Sequence, residues 1–184
     1  MYESYDNKIT TPPGPYLFAQ WYSQYVLQDT ECSIESIRST NIVFNLATVI
    51  VLNEILKMLE DKGERNSPIH YKRLLILILH PVHFFFGFLF YTDAGSTFFI
   101  LLSYLFALKV NFHSVGASLA HLYACSASGL ISLWFRQTNI IWYAFSIGTI
   151  LVRFFEDKGA VEKTYKSPLV EMVSFCGKVL KYVF

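Results

Sequence analysis

Charge is scarce in this chain. Asp, Glu, Lys and Arg make up 16% of its 184 residues, while 53% are hydrophobic and the mean hydropathy is +0.37. An ordinary soluble domain carries roughly a quarter charged residues, so this balance points away from that class. The net charge of +1 leaves no basic footprint for a nucleic-acid partner. Cysteine is also sparse. Cys32, Cys125 and Cys176 stand too far apart for a metal or redox spacing, and Cys125, inside an apolar run, reads as a small buried hydrophobe. The polar start from Met1 to Thr11 predicts no cleavable signal peptide. No glycosylation sequon occurs, since Pro68 stands where Asn66-Ser67 would need Ser or Thr, and no internal repeat is visible.

What remains is apolar runs. A bilayer crossing needs about 20 apolar residues. Candidates are Ile37 to Leu59, Leu74 to Phe90 (interrupted by His80-Pro81 and His83), Ala94 to Val110, Val115 to Phe135 and Ile140 to Phe155. The fourth is rich in Gly, Ala and Ser, which let membrane helices approach closely. The Pro168–Phe184 run mixes apolar residues with Glu171, Lys178 and Lys181 and reads as an interfacial amphipathic helix. The expected fold is therefore an all-α, polytopic transmembrane helical bundle. It divides into a 1–35 loop with the Thr-Thr-Pro-Pro-Gly motif, a 36–155 membrane domain of about five helices, and a 156–184 segment with the interfacial amphipathic helix.

Basic residues predict its orientation. Lys57, Lys62, Arg65, Lys72, Arg73, Lys109, Arg153, Lys158, Lys163 and Lys166 fall on one side of the alternating spans, against Lys8, Arg38 and Arg136 on the other. The richer side is expected in the cytoplasm. Three polar stretches then share the opposite face: Thr10-Thr11-Pro12-Pro13-Gly14, Tyr91 to Ser96, and Arg136 to Asn139. Polar and charged groups at a membrane edge are costly and mark candidate sites.

Each candidate carries two readings. Arg136 is a snorkelling anchor or a bidentate phosphate ligand. Asp93 caps a helix starting near Gly95, or serves as a general base or sugar-hydroxyl binder. His80 and His83 flank Pro81 and suit a kinked, hydrogen-bonded helix, since a metal pair lacks a third ligand. Asn41, Asn45 and Asn53 recur at helical spacing and are expected to bond between helices. Trp134 and Trp142 fit an interfacial aromatic belt. The Pro-Pro-Gly turn would aim the chain into an interfacial Tyr16–Leu27 segment.

Three strings, in order, are specific: Ile9-Thr10-Thr11-Pro12-Pro13-Gly14-Pro15-Tyr16-Leu17, Phe88-Leu89-Phe90-Tyr91-Thr92-Asp93-Ala94-Gly95-Ser96-Thr97-Phe98-Phe99, and Phe135-Arg136-Gln137-Thr138-Asn139-Ile140-Ile141-Trp142. Together they resemble the N-terminal third of the dolichyl-phosphate-glucose alpha-1,2-glucosyltransferase family, from about Tyr5 onward. The resemblance implies a partial C-type glycosyltransferase fold in the endoplasmic reticulum membrane, with its active site on the lumenal side. Its donor would be dolichyl phosphate glucose and its acceptor the diglucosylated dolichol-diphosphate oligosaccharide, in the last glucosylation before protein N-glycosylation. Arg136 would hold the leaving phosphate. Asp93 and Asp6 are the candidate catalytic acids, and Gln137, Asn139, Thr10, Thr11 and Tyr91 the candidate substrate contacts, with no cofactor and no metal.

Two departures stand out. The family's first helix and its acidic Asp-Glu segment, the expected general base, would lie upstream of Met1, and further spans would follow Phe184. A fragment, truncated isoform or partial gene model is expected on that count. The competing expectations are a non-catalytic membrane regulatory or interaction protein derived from the family, and a small transporter. A transporter would place its polar groups nearer the membrane midplane.

Overall fold

The computed structural model describes residues 12–28, 33–65, 67–87, 89, 91–112 and 115–157. Among them the structure is all helix, without strands. The expected amphipathic helix over Pro168–Phe184, together with Asp6, Thr10 and Thr11, lies outside the described residues.

Helix starts follow local chemistry. α1, Gly14–Tyr25, begins after Pro13 with Pro15 in its first turn, where a missing N–H costs nothing. It occupies the middle of the 1–35 segment expected as a loop. α2, Ile34–Leu59, is capped by Ser33, whose side chain accepts from the Ser36 N–H. α3, Pro68–Ile78, is capped in the same way by Ser67. α3 stops before His80, and α4, Pro81–Gly87, begins at the proline that cannot continue it. The expected second span is thus two short helices with a break, the kink anticipated around Pro81. The side chain of His83 is outside the described ones. α5, Thr92–Lys109, α6, Val115–Phe135, and α7, Ile140–Asp157, complete the described residues, with a 3-10 turn at Gln137–Asn139 between α6 and α7.

α5 is the central helix, packed on α2, α4, α6 and α7. Its only charges are at its ends, Asp93 and Lys109, and its flanks are apolar, as a surrounded helix requires. Val51 and Ile55 of α2 meet Leu105 and Leu108 of α5 in one buried cluster. Phe44, Ala94 and Phe135 form a second at the other end. α2 and α5 therefore run in the same direction, α6 returns, and α7 runs with α5. Buried Ser103 ties α5 to α6 by donating to the Cys125 carbonyl at 2.9 Å. Cys125 itself is buried and free, as its apolar setting suggested.

Polar groups fasten both ends. Asn41 donates its amide to the Leu89 and Tyr91 carbonyls, at 2.5 and 3.0 Å, just before α5. Both partners only accept, which fixes the amide's orientation. At the opposite end Arg153 of α7 donates to the Ala107 and Leu108 carbonyls, at 2.9 and 2.6 Å. It satisfies carbonyls that the last turn of α5 leaves without intrahelical partners.

His70, at the start of α3, is fully buried. Its Nδ1 lies 2.5 Å from Glu60 and its Nε2 3.0 Å from the Asn53 side-chain oxygen. Arg73 donates to Glu60 at 2.9 Å and to Glu64 at 2.6 Å. Hydrogen bonds from Arg73 first and His70 second hold the Glu60 carboxyl below its ordinary value of 4.5. Of the three asparagines expected to bond between helices, Asn41 and Asn53 make such bonds, while Asn45 lies against Gly87.

Two segments, Ile34–Leu59 and Gln137–Asp157, are long and apolar enough to cross a membrane by length and composition. α5 packs against both of them and against α6. Large apolar side chains face outward on several helices, including Ile50 at 67%, Ile76 at 70% and Ile141 at 71% exposed. Such a surface suits lipid or protein rather than water.

Candidate functional site

At the end where α5 begins, the described parts of the three polar stretches meet. α5 starts at Thr92 with Tyr91 as its N-cap, and no side chain caps it. Asp93 is thus in the first turn and does not cap the helix, correcting that expectation. A carboxylate there is favoured by the helix dipole. α6 ends at Phe135, and Arg136 follows with extended backbone, φ −154° and ψ 120°. That turn swings the guanidinium onto α5, where it forms an ion pair with Asp93.

The pair is accessible: the Arg136 side chain is 46% exposed and that of Asp93 26%. In the surface-like dielectric of such a position, an ion pair adds little to stability. A guanidinium has five N–H donors in a planar fork, so engaging Asp93 leaves others for an anion.

Beneath the pair the packing is close. The Phe135 ring rests on Gly95, where a Cβ would collide with it. Phe135 meets Phe44 edge-on at 5.6 Å, and Phe44 also contacts Phe18 at 4.6 Å. Aromatic contacts of this kind contribute about 0.5–1.5 kcal/mol each beyond burial. Through Phe18 the cluster draws in α1. A Cβ on Gly14 would come within 2.7 Å of the Trp134 carbonyl carbon, so the Pro-Pro-Gly turn abuts the end of α6 because it has glycine there.

Asn139 is buried at 5% exposure. Its amide donates to the Ser96 hydroxyl at 2.8 Å and to the Ser132 carbonyl at 3.0 Å. Gln137 is exposed in the 3-10 turn. Tyr91 is exposed at the N-cap of α5, beside the carbonyl that Asn41 holds. Trp134 and Trp142, bracketing Arg136, are 63% and 60% exposed. Among the described residues no three His, Cys, Asp or Glu side chains gather as a metal would require.

The structure therefore brings Asp93, Arg136, Asn139 and Tyr91 to one end of the bundle, with Gln137 beside them. Sequence reasoning did not single out Ser96 or Ser132, the partners of Asn139, nor the His70–Glu60–Arg73 network at the other end. A serine one turn after Asp93, on the same helical face, was the available signal for Ser96.

The DIE2/ALG10 family matches residues 1–183. A rat protein named Dol-P-Glc:Glc(2)Man(9)GlcNAc(2)-PP-Dol alpha-1,2-glucosyltransferase is 35% identical over 160 residues, which is 81% of this chain and 31% of that protein. A Candida albicans protein of the same name is 30% identical over 198 residues, covering 99% of this chain and 42% of its own length. A human protein so named is 34% identical over 160 residues, covering 81% and 31%. The chain thus spans about a third to two fifths of the length of these relatives. No solved structure matches it.

Proposed function

Because this chain belongs to the DIE2/ALG10 family, we propose that it carries the phosphate-holding part of an enzyme that moves glucose from dolichyl phosphate glucose to the diglucosylated dolichol-diphosphate oligosaccharide, in alpha-1,2 linkage. The observation that carries this reading is the accessible Arg136 guanidinium, set on α5 by Asp93 at the end of the bundle where the polar stretches meet.

The reaction is an inverting displacement. A base takes the proton of the acceptor 2-hydroxyl as its oxygen attacks the sugar C1. The C1–oxygen bond to phosphate breaks, and dolichyl phosphate leaves with the electron pair. Negative charge grows on the phosphate oxygens, and a fixed guanidinium stabilises it more in the transition state than in the ground state. Arg136 serves in that role. Asp93 holds it in place, since one carboxylate oxygen is already engaged. The base is then Asp6 or an acid from the remainder of the longer family polypeptide. Tyr91, Gln137, Thr10 and Thr11 supply hydrogen bonds to sugar hydroxyls.

The setting is the endoplasmic reticulum membrane. The Asp93–Arg136 end faces the lumen, and the end carrying Lys57, Lys62, Arg65, Lys109 and Arg153 faces the cytoplasm. Residues 1–35 contribute a lumenal segment in which α1 lies at the interface, residues 36–155 cross the membrane in five passes, and residues 156–184 lie on the cytoplasmic side.

The test is lipid-linked oligosaccharide profiling in cells lacking the terminal glucosyltransferase and expressing a full-length polypeptide that carries this segment. Restoration of the fully glucosylated species, and its loss on Arg136→Ala at equal protein level, is the expected result. Unchanged transfer by the variant would remove Arg136 from the mechanism.

A further inference from the structure

We infer that Asn139 is a positioning residue that acts through Arg136, and not a ligand of the sugar. The inference rests on the reading of Arg136 given above. Asn139 is buried, and both hydrogens of its amide have acceptors within the protein, the Ser96 hydroxyl and the Ser132 carbonyl. The carbonyl can only accept, which fixes the way the amide faces, and the same oxygen also accepts the Arg136 backbone N–H at 3.0 Å. Its backbone N–H donates to the Arg136 carbonyl at 3.1 Å, closing the turn that presents the arginine.

Asn139 therefore joins three elements: the first turns of α5, the last turn of α6 and the connection into α7. Ser96 lies three residues after Asp93, one turn along the same face of α5. The Asn139–Ser96 bond and the Arg136–Asp93 pair are two rungs between the same two elements. On the other flank of Arg136, Phe135 is buried against Gly95. The arginine is held between two anchors, so its backbone position over α5 is set before any substrate arrives. Preorganisation of this kind removes an ordering cost from the reaction itself.

The inference has a kinetic signature that a general folding role lacks. In a full-length polypeptide carrying this segment, initial rates are measured against donor concentration for Arg136→Ala, Asn139→Ala, Asn139→Asp, Ser96→Ala and the Arg136→Ala/Asn139→Ala double variant, each normalised to membrane-inserted protein. Arg136→Ala is expected to lower kcat about a hundredfold. Asn139→Ala and Asn139→Asp should each lower it about tenfold, the aspartate because it cannot donate to Ser132. The double variant should fall no further than Arg136→Ala alone, since the second loss acts through the first. Ser96→Ala deletes one small group and keeps the fold. It should give a smaller loss, of about threefold, that also vanishes in the Arg136→Ala background.

Losses that multiply in the double variant, or an Asn139→Ala enzyme with unchanged kcat, overturn the positioning role while leaving the phosphate role of Arg136 intact. An Arg136→Ala enzyme with full activity overturns both.

Discussion

Arg136 and Asp93, 43 residues apart in the chain, form an ion pair that bridges the end of α6 and the first turn of α5. Both are partly exposed, so the pair contributes about 0.2–1 kcal/mol to stability at most. The expected pattern is a small change in melting and a large change in chemistry. In the full-length polypeptide proposed to carry this segment, Asp93→Asn should leave the detergent-solubilised melting temperature within a few degrees while reducing glucosyl transfer at least about tenfold, because the guanidinium loses its partner. A large melting shift with unchanged transfer would reverse the assignment.

Gly95→Ala is a test of the floor beneath that pair. The added methyl would meet the Phe135 ring, which is enclosed by Phe44 and Phe99 and has little room to move. Overpacking of this kind costs about 1–3 kcal/mol. Thermal unfolding in detergent should register it, and Phe135→Leu in the same chain should recover part of the loss by opening space. A silent Gly95→Ala variant would mean that α5 and α6 are less closely joined.

The far end offers a pH experiment. Glu60 is held below its ordinary value of 4.5 by Arg73 and His70. A depressed carboxyl contributes stability above its unfolded value, and loses that contribution as pH falls through the folded one. The α2–α3 connection should therefore loosen as the medium is taken below about pH 4.5. Glu60→Gln should flatten this acid dependence and lower stability at pH 7. Hydrogen exchange over residues 67–78 reads it directly, and an acid response identical in both proteins would rule Glu60 out.

Orientation can be read with single cysteines. In a background with the native cysteines replaced by serine, Gln28→Cys and Lys62→Cys probe exposed positions at opposite ends. In sealed microsomes a membrane-impermeant maleimide should label Lys62→Cys and spare Gln28→Cys until detergent is added. The opposite order would invert the proposed topology.

Much of the architecture was legible because its signals are local. Ser33 and Ser67 mark helix starts by their own hydroxyls, Pro81 breaks a helix by its own ring, and apolar runs delimit α2, α5, α6 and α7. The Arg136 string was visible as charge between apolar runs. What escaped was tertiary. Asp93 looked like a cap because an acid before an apolar run commonly is one, and only the approach of α6 gives it Arg136. Asn139 looked like a sugar ligand because its neighbours are polar, although Ser96 and Ser132 turn it inward. His70 carries no such local signal. Its partners are Asn53 of α2 and Glu60, the residue that follows α2.

The contacts made by Arg153 impose a timetable on synthesis. The carbonyls it caps belong to Ala107 and Leu108, 46 and 45 residues earlier. At roughly 5–20 residues per second, the ribosome needs about 2–9 seconds to deliver that cap after Leu108 has emerged. Arg136, in the connection between α6 and α7, reaches Asp93 after a comparable delay. The central helix thus leaves the ribosome with both ends unfinished, and chain made well after it completes both. Nascent chains arrested ahead of Arg136 should be held by the insertion machinery or degraded, whereas those arrested beyond Asp157 should pass as assembled.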